Sequence, residues 1–265
     1  MVPHKYISRE PDAAGVIQYS DEENCIWAEL YQRQSALIRG RACEEFLQGL
    51  RQLQLPIDRV PQLSDASRPM LQATGWQVAP VPALISFKRF FDLLANRSFP
   101  SATFIRIREE MDYLQEPDIF HEIYGHCPLL MHPLFADFAH IYGQVSARAN
   151  AKDQVMLARL YWFTIEFGLM QTVAGLRVYG AGLLSSFGET CYALESPVAE
   201  RRPFDLMDIL RTPYRIDIFQ PIYYVIESFD QLYALASHDL EKAIVIAREL
   251  GPFAPTYSPK AGSNK

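Results

Sequence analysis

The sequence predicts a mostly α-helical fold with small β pieces, an α+β domain organised around a single core. Three observations carry that reading. Apolar residues recur at helical spacing over most of the chain, strand-like runs are few and short, and no linker, repeat or compositional shift divides the 265 residues. A chain of this length sits at the upper end of what one core holds, so residues 1–265 are expected to form one domain.

The elements follow in order. SDEENCIWAELYQRQSALIRG opens a first helix, with Ser20 and Glu23 spaced as a capping box and Gly40 as the stop. RACEEFLQGLRQL reads as a second helix ending before Pro56, and Leu63 to Ala73 as a third. SFKRFFDLLAN is a fourth, capped by Ser86. The Pro-punctuated stretches LPIDRVPQL and VAPVPAL are the loops between them. ATFIRI (102–107) is the best strand candidate, β-branched and aromatic, with Arg106 near its end. Pro117 and Asp118 then start a short helix expected to stop near Tyr124, because Gly125 suits a C′ position and Pro128 forbids continuation.

In the second half, Leu134, Phe138, Ile141 and Val145 line one face of a helix in LFADFAHIYGQVSARA. DQVMLARLYWFTIEFGLMQ is the helix after it. RVYGAGLLSSFGETCYAL mixes a short strand, a glycine-rich turn and a helix, while RIDIFQPIYYVIESF reads as a buried strand pair or extended segment broken at Pro221. Asp239 to Leu250 is a last amphipathic helix, followed by GPFAPTYSPKAGSNK as a loose tail.

Charge and composition exclude several classes. A net charge of −6 and a pI near 5.6 give no basic face for nucleic acid or anionic lipid. Cys25, Cys43, Cys127 and Cys191 are scattered without a C-x-x-C pair, which suits free thiols in a reducing compartment. The first residues contain no apolar run, and no stretch reaches the ~18 apolar residues of a membrane span. The expectation is a cytoplasmic protein, monomeric or a small homo-oligomer, with neither nucleic acid nor membrane as partner.

The chemistry concentrates in DIFHEIYGHC. His121 and His126 stand five apart with Glu122 after the first, one residue longer than the zinc-protease spacing H-E-x-x-H. On a continuous α-helix such residues point about 140° apart and cannot share an ion. The expected helix end at Tyr124 would free His126 to fold back. The pair alone fits capping or core histidines as well as a metal half-site. A third candidate strengthens the metal reading: Glu166 lies in an apolar, aromatic helix with no polar face, and buried carboxylates are paired or bind metal. If the two long helices run antiparallel, climbing about 22 Å and descending about 20 Å, Glu166 returns to the level of His126. Two imidazoles and a carboxylate then form the facial triad of non-haem Fe(II) oxygenases, with open positions for other ligands. A zinc hydrolase using Glu122 as base is the rival arrangement.

EPDIFHEIYGHCPLL, YWFTIEFGL, YGAGLLSSFGE and FQPIYYVIESF, in this order, closely resemble the pterin-dependent aromatic amino acid hydroxylases, the compact bacterial phenylalanine-hydroxylating members above all. The likeness runs from about Arg9 to Pro255, leaving 256–265 as tail. The resemblance implies a single catalytic domain, Fe(II) held by His121, His126 and Glu166, and a tetrahydropterin as cosubstrate. It gives Arg106 the substrate carboxylate, with Asp118 holding Arg106, and Trp162, Phe167 and Ser185 the substrate pocket. It sets Phe90 against the pterin with Glu122 reaching it, and Tyr161 beside the iron. Two departures concern fine contacts: YLQEPD places Leu114 where animal enzymes carry a threonine, and Lys88-Arg89 replaces an Arg-Asp pair.

The implied reaction turns L-phenylalanine into L-tyrosine with O2 and reduced pterin, serving tyrosine biosynthesis or phenylalanine catabolism. Ile216 falls where phenylalanine hydroxylases carry an apolar residue and tyrosine hydroxylases an aspartate, and an apolar wall suits a bare phenyl ring. Tyrosine or tryptophan as the substrate is the alternative within the same chemistry.

Overall fold

In the computed structural model, which describes residues 6, 8–82, 85–112, 114, 116–238 and 240–257, side-chain caps set the helix starts. Ser20 Oγ accepts the Glu23 N–H at 3.3 Å while the Glu23 carboxylate accepts the Ser20 N–H at 2.7 Å. This box launches α1 (Asp21–Leu37), and the turn beyond it passes through left-handed Gly40. Helices α2 (Glu44–Leu53) and α3 (Leu63–Thr74) follow. Ser86 Oγ accepts the Arg89 N–H at 3.2 Å and starts α4 (Phe87–Leu94).

Past the metal-candidate motif come α5 (Cys127–Leu130), α6 (Pro133–Arg148) and α7 (Ala151–Tyr161). Asn150 caps α7, and the chain doubles back there: the Tyr142 hydroxyl on α6 donates to the Leu157 carbonyl on α7 at 2.9 Å. Helices α8 (Ala181–Leu184), α9 (Phe187–Glu195), α10 (Leu206–Arg211), α11 (Phe229–His238) and α12 (Leu240–Leu250) complete the helical set. Two sheets are small. Strands β1 (Gln77–Pro80) and β2 (Ser98–Ser101) pair in parallel. The other sheet has the order β4-β3-β6-β5, from β3 (Leu169–Thr172), β4 (Gly175–Val178), β5 (Glu200–Pro203) and β6 (Ile222–Ile226). Only its β3–β4 pair is antiparallel.

One continuous apolar cluster runs from Ile17 to Ala247, so the described residues form one domain. Trp27, Trp76, Phe120, Tyr124, Phe138 and Tyr142 are fully buried in it. Large apolar side chains such as these contribute roughly 1.5–3 kcal/mol each when removed from water.

Several expectations are corrected. ATFIRI is extended and buried from Ala102 to Arg106 but is not a strand. Its polar groups pair with loops and side chains instead of a ladder: Thr103 N–H with Ser8 Oγ, Phe104 carbonyl with Ile119 N–H, Arg106 N–H with Asp118. The helix does not stop at Tyr124; it continues through Gly125 as a π-helical turn, and Pro128 sits in the first turn of α5, where its missing N–H is tolerated. The helix through Glu166 ends at Phe167, so residues 169–171 belong to β3. On α6 the buried face centres on Phe135, Phe138, Ala139 and Tyr142, leaving Leu134 and Ile141 half-buried. Before Pro221 the chain is a loop and only β6 is strand, Val78–Pro80 of the expected loop VAPVPAL belong to β1, and β2, β5, α10 and α11 have no counterpart among the expected elements. Asp239, expected to open the last helix, lies outside the described residues, as do Tyr113 and Gln115 of YLQEPD, residues 1–5, 7, 83 and 84, and the tail from 258 to 265.

Candidate active site

The five-residue spacing of His121 and His126 is resolved by a change of helix type. Phe120–His126 is a π-helical turn, and i→i+5 bonding brings residues five apart onto nearly one face. Trp162–Glu166 is a second π-helical turn and delivers the third group. Glycines let the supports close in. A Cβ at Gly125 would meet the Ala181 carbonyl at 3.0 Å, and one at Gly180 the Glu166 carbonyl at 2.3 Å. Gly125 is therefore a contact point for α8, not a helix stop.

The three side chains converge. His126 Nε2 lies 3.1 Å from His121 Nε2 and 3.2 Å from Glu166 Oε1, and His121 Nε2 lies 3.6 Å from Glu166 Oε2. One ligand atom from each falls within 4.8 Å of the others, the one such trio found among the described residues. The tautomer of His121 follows from its neighbour. Ser185 gives its only hydroxyl proton to the Ala181 carbonyl at 2.8 Å, so at 2.9 Å it accepts from His121 Nδ1–H. His121 Nε2 is then a lone pair aimed at His126. Burial pushes the His121 ring down to about 4, which keeps it neutral at pH 7. Converging lone pairs and a carboxylate are reconciled by a cation, so this donor set fits a metal ion that leaves one face open. His132 and His140 stand outside the trio.

Beside the trio is a cavity of about 310 Å³ lined by Arg106, His121, Trp162, Phe167 and Ser185 among others. Asp118, fully buried, grips Arg106 through Nε–H at 2.8 Å, Nη2–H at 2.9 Å and the backbone N–H at 3.0 Å. It also accepts the His121 N–H at 3.0 Å, as an N-cap side chain does, tying the arginine to the histidine turn. Burial opposes the charge on Asp118, but the Arg106 guanidinium outweighs it and holds the carboxyl below the usual range. Two of the five guanidinium N–H groups bond to Asp118, leaving three for other partners at a side chain that lines the cavity. Arg106 is thus a buried, aimed fork and not a surface charge.

Trp162 forms the aromatic wall, 4.5 Å from Phe167 and stacked on Tyr214 at 4.4 Å and 14°. Ile216 also lines this cavity but is 55% exposed, a rim residue and not a buried wall. Leu114 lines it too and presents an apolar side chain without a hydroxyl.

A second cavity, about 320 Å³, lies on the other side of Glu166 and shares Pro117, Trp162 and Glu166 with the first. Phe90, Tyr161 and Glu122 line it. Phe90 packs edge-on to Tyr161 at 5.2 Å, and the Tyr161 hydroxyl bonds to Glu166. Burial, then Glu166 and Asp118, push the Glu122 carboxyl well above the usual carboxylate range. Lys88 pairs with Asp92 at 2.9 Å on the exposed face of α4.

Three residues of this site were not picked out in the sequence. Tyr214 backs Trp162. Gln220, buried, accepts Trp162 Nε1–H at 3.0 Å and donates to the Arg215 and Ile218 carbonyls. Glu189, also buried, holds Gln220 in turn. For Glu189 a signal existed, a lone acid in an apolar helix, the same signal that marked Glu166. For Tyr214 and Gln220 none did, since loop aromatics and amides are ordinary.

The family model described as biopterin-dependent aromatic amino acid hydroxylase matches residues 4–249. The chain is 53% identical to the phenylalanine-4-hydroxylase of Vibrio cholerae over 256 residues, covering 97% of this chain and 89% of that one. With the phenylalanine-4-hydroxylase of Pseudomonas aeruginosa the identity is 51%, and 97% of each chain is covered. Among solved structures, the apo cold-active phenylalanine hydroxylase from Colwellia psychrerythraea matches with a TM-score of 0.92 at 52% identity, covering 95% of this chain and 97% of that one. The phenylalanine hydroxylase of Chromobacterium violaceum with bound oxidized Fe(III) matches with a TM-score of 0.89 at 44% identity, over 96% and 92% of the two chains.

Proposed function

We infer that this chain, which belongs to the biopterin-dependent aromatic amino acid hydroxylase family, is a phenylalanine 4-monooxygenase that converts L-phenylalanine to L-tyrosine with O2 and a tetrahydropterin. The observation that carries the reading is the convergence of His121, His126 and Glu166 at the junction of two cavities. Bound there, Fe(II) and the reduced pterin supply the activation of O2 that ring hydroxylation needs.

The protein's own contribution is placement. His121, His126 and Glu166 are the proposed iron ligands, and Ser185 fixes the proton on His121 Nδ1 so that Nε2 can bind. Arg106, braced by Asp118, takes the substrate carboxylate with its free N–H groups. Trp162 and Phe167, packed against each other, offer a joint aromatic wall to the ring, which has no polar group to satisfy. Phe90 offers its face to the pterin in the second cavity, where Glu122, half-buried, is a carboxyl group available to the heterocycle's N–H groups, and the Tyr161 hydroxyl steadies Glu166. Ile216 edges the substrate entrance.

No helix among the described residues is long and apolar enough to cross a membrane. A cytoplasmic enzyme, monomeric or a small homo-oligomer, is the setting that goes with this reaction. The test is anaerobic loading with Fe(II), followed by L-phenylalanine, tetrahydropterin and air, with tyrosine read by mass. Tyrosine that needs both iron and pterin is the expected result. Folded, iron-loaded protein that makes none, or that acts faster on L-tyrosine or L-tryptophan, would overturn the substrate.

A further inference from the structure

An amino acid carries two charges, and Arg106 answers only one of them. This inference rests on the amino acid substrate proposed above. A cation brought into a largely enclosed cavity needs an acceptor, because leaving it unpaired is costly. Among the carboxylates near the ring site, Glu166 is taken up by the histidines and Asp118 by Arg106 and the His121 N–H. Asp112 pairs with Arg33 at 2.6 Å and points largely to solvent. Glu116 also lines the cavity, on the loop before Asp118, and is the carboxylate against which Glu189 is tested below, while Leu114 offers no polar atom.

Glu189 is different. It stands in the same cavity wall as Arg106 yet is only 8% exposed. Its Oε1 accepts the Gln220 N–H at 2.9 Å and the Tyr223 hydroxyl at 3.0 Å, while Oε2 has no partner among the described residues. The residue rides on the first turn of α9, capped by Ser186 Oγ at 3.3 Å, so it is held on a rigid element. Gln220 is fixed in turn by Trp162, Arg215 and Ile218. A carboxylate locked by one oxygen, with the other left for the cavity, is a directed acceptor.

We propose that Glu189 binds the α-ammonium of the substrate, so that Arg106 and Glu189 together read the zwitterion. Burial pushes the Glu189 carboxyl up to about 7, and an adjacent cation is what stabilises its charged form. The pairing explains how a cavity whose ring contacts are sequence-neutral aromatics would select an amino acid over another phenyl carboxylate.

The experiment compares two ligands by calorimetry on the anaerobic iron-loaded enzyme: L-phenylalanine and 3-phenylpropanoate, which keeps the ring and carboxylate but lacks the ammonium. Wild type is expected to prefer phenylalanine by tenfold or more. Glu189→Gln keeps a carbonyl for Gln220 and Tyr223, and should lose most of that preference while its affinity for 3-phenylpropanoate stays within threefold of wild type. Its KM for phenylalanine should rise with kcat little changed. Glu189→Asp, which keeps the charge but draws it back, should retain part of the preference and serves if the glutamine variant is unstable. An unchanged preference, or equal weakening of both ligands, would show that Glu189 only braces Gln220 and Trp162 and would overturn the proposal. So would loss of the preference in Glu116→Gln, another carboxylate that lines that cavity. Failure of wild type to bind phenylalanine or to make tyrosine strikes the functional reading first, and is visible before any variant is made.

Discussion

The two cavities on either side of Glu166 are nearly equal in size but are built on opposite principles. The one beside His121 is bounded at one end by charged groups pinned through hydrogen bonds, with Arg106 locked by the Asp118 carboxylate and Glu189 by the Gln220 N–H and the Tyr223 hydroxyl. The one beside Tyr161 is bounded by aromatic faces, with Phe87, Phe90 and Phe91 on one helix and Tyr142, Tyr161 and Tyr214 opposite. Buried charge pairs fail abruptly when one partner is removed, whereas stacked rings lose a little with each ring. The first cavity should therefore be brittle and selective, and the second tolerant.

The shared wall comes first because it should not respect the difference. Glu166→Ala removes the carboxylate common to both sides. Iron affinity should fall by more than the roughly ten- to hundredfold typical of groups that only support a ligand. Metal analysis after dialysis should show little iron, and tyrosine formation should cease. A variant that keeps iron and activity would mean that the ligand set is misassigned.

The brittle side is tested by Asp118→Asn, which strands the buried Arg106 charge. A loss of about 3–5 kcal/mol at pH 7 is expected from breaking a buried pair. The pH dependence has a definite sign. The Asp118 carboxyl is held below its unfolded value of about 3.9, so its stabilisation is complete above that value and is lost as pH falls through the lower folded one. Urea unfolding from pH 7 to pH 3 should show the gap between variant and wild type narrowing only at the acid end. A gap that is constant with pH would mean that the pair contributes through shape and not charge.

The tolerant side is tested by Phe90→Ala. Phe90 is half-buried and touches Tyr161 and Phe91 edge-on. Losing one stacking face is worth about 0.5–1.5 kcal/mol, which is a rise in pterin KM of roughly two- to tenfold. Phenylalanine affinity, measured without pterin, should not move. If it does, the two cavities are coupled through Trp162 and the contrast between them is too sharp.

The contrast also explains what the sequence could reveal. Ser20 with Glu23, and Ser86, declare their helices because capping is local chemistry. Glu166 is conspicuous because a lone acid in an apolar helix has few explanations. The π-helical turn at His121 is invisible to periodicity, since a seven-residue insertion of wider helix leaves too few positions to shift a pattern. Gly125 and Pro128 therefore read as a stop when they are a contact and a tolerated first-turn proline. Arg106 was legible as a residue but not as an environment. ATFIRI has the side chains of a strand, yet whether an extended segment pairs in a ladder or with Asp118 and Ser8 is decided by chain far away in sequence. Roles implied by resemblance, such as that of Ser185 within YGAGLLSSFGE and that of Phe90 outside the four quoted motifs, are not legible from spacing alone.

The smallest expected effect is at the rim, and it bears on whether the brittle cavity ends where its charges end. From the sequence, Ile216 is expected to be an apolar wall suited to a bare phenyl ring. In the structure it is more than half exposed, on a loop pinned by Gln220 and flanked by the Arg215–Asp217 ion pair at 2.8 Å. A carboxylate introduced there by Ile216→Asp stays solvated, so it neither pays a large desolvation cost nor presents an unpaired buried acceptor to the ring. The ratio of kcat/KM for phenylalanine over tyrosine should consequently change by less than about tenfold, or 1.4 kcal/mol. Competition of the two amino acids in one reaction measures that ratio directly. A shift of a hundredfold would require Ile216 to be enclosed when substrate is bound. The 215–220 loop would then close over the ring, and selectivity between the two amino acids would reside in that movement, because Arg106 meets a carboxylate that both of them carry.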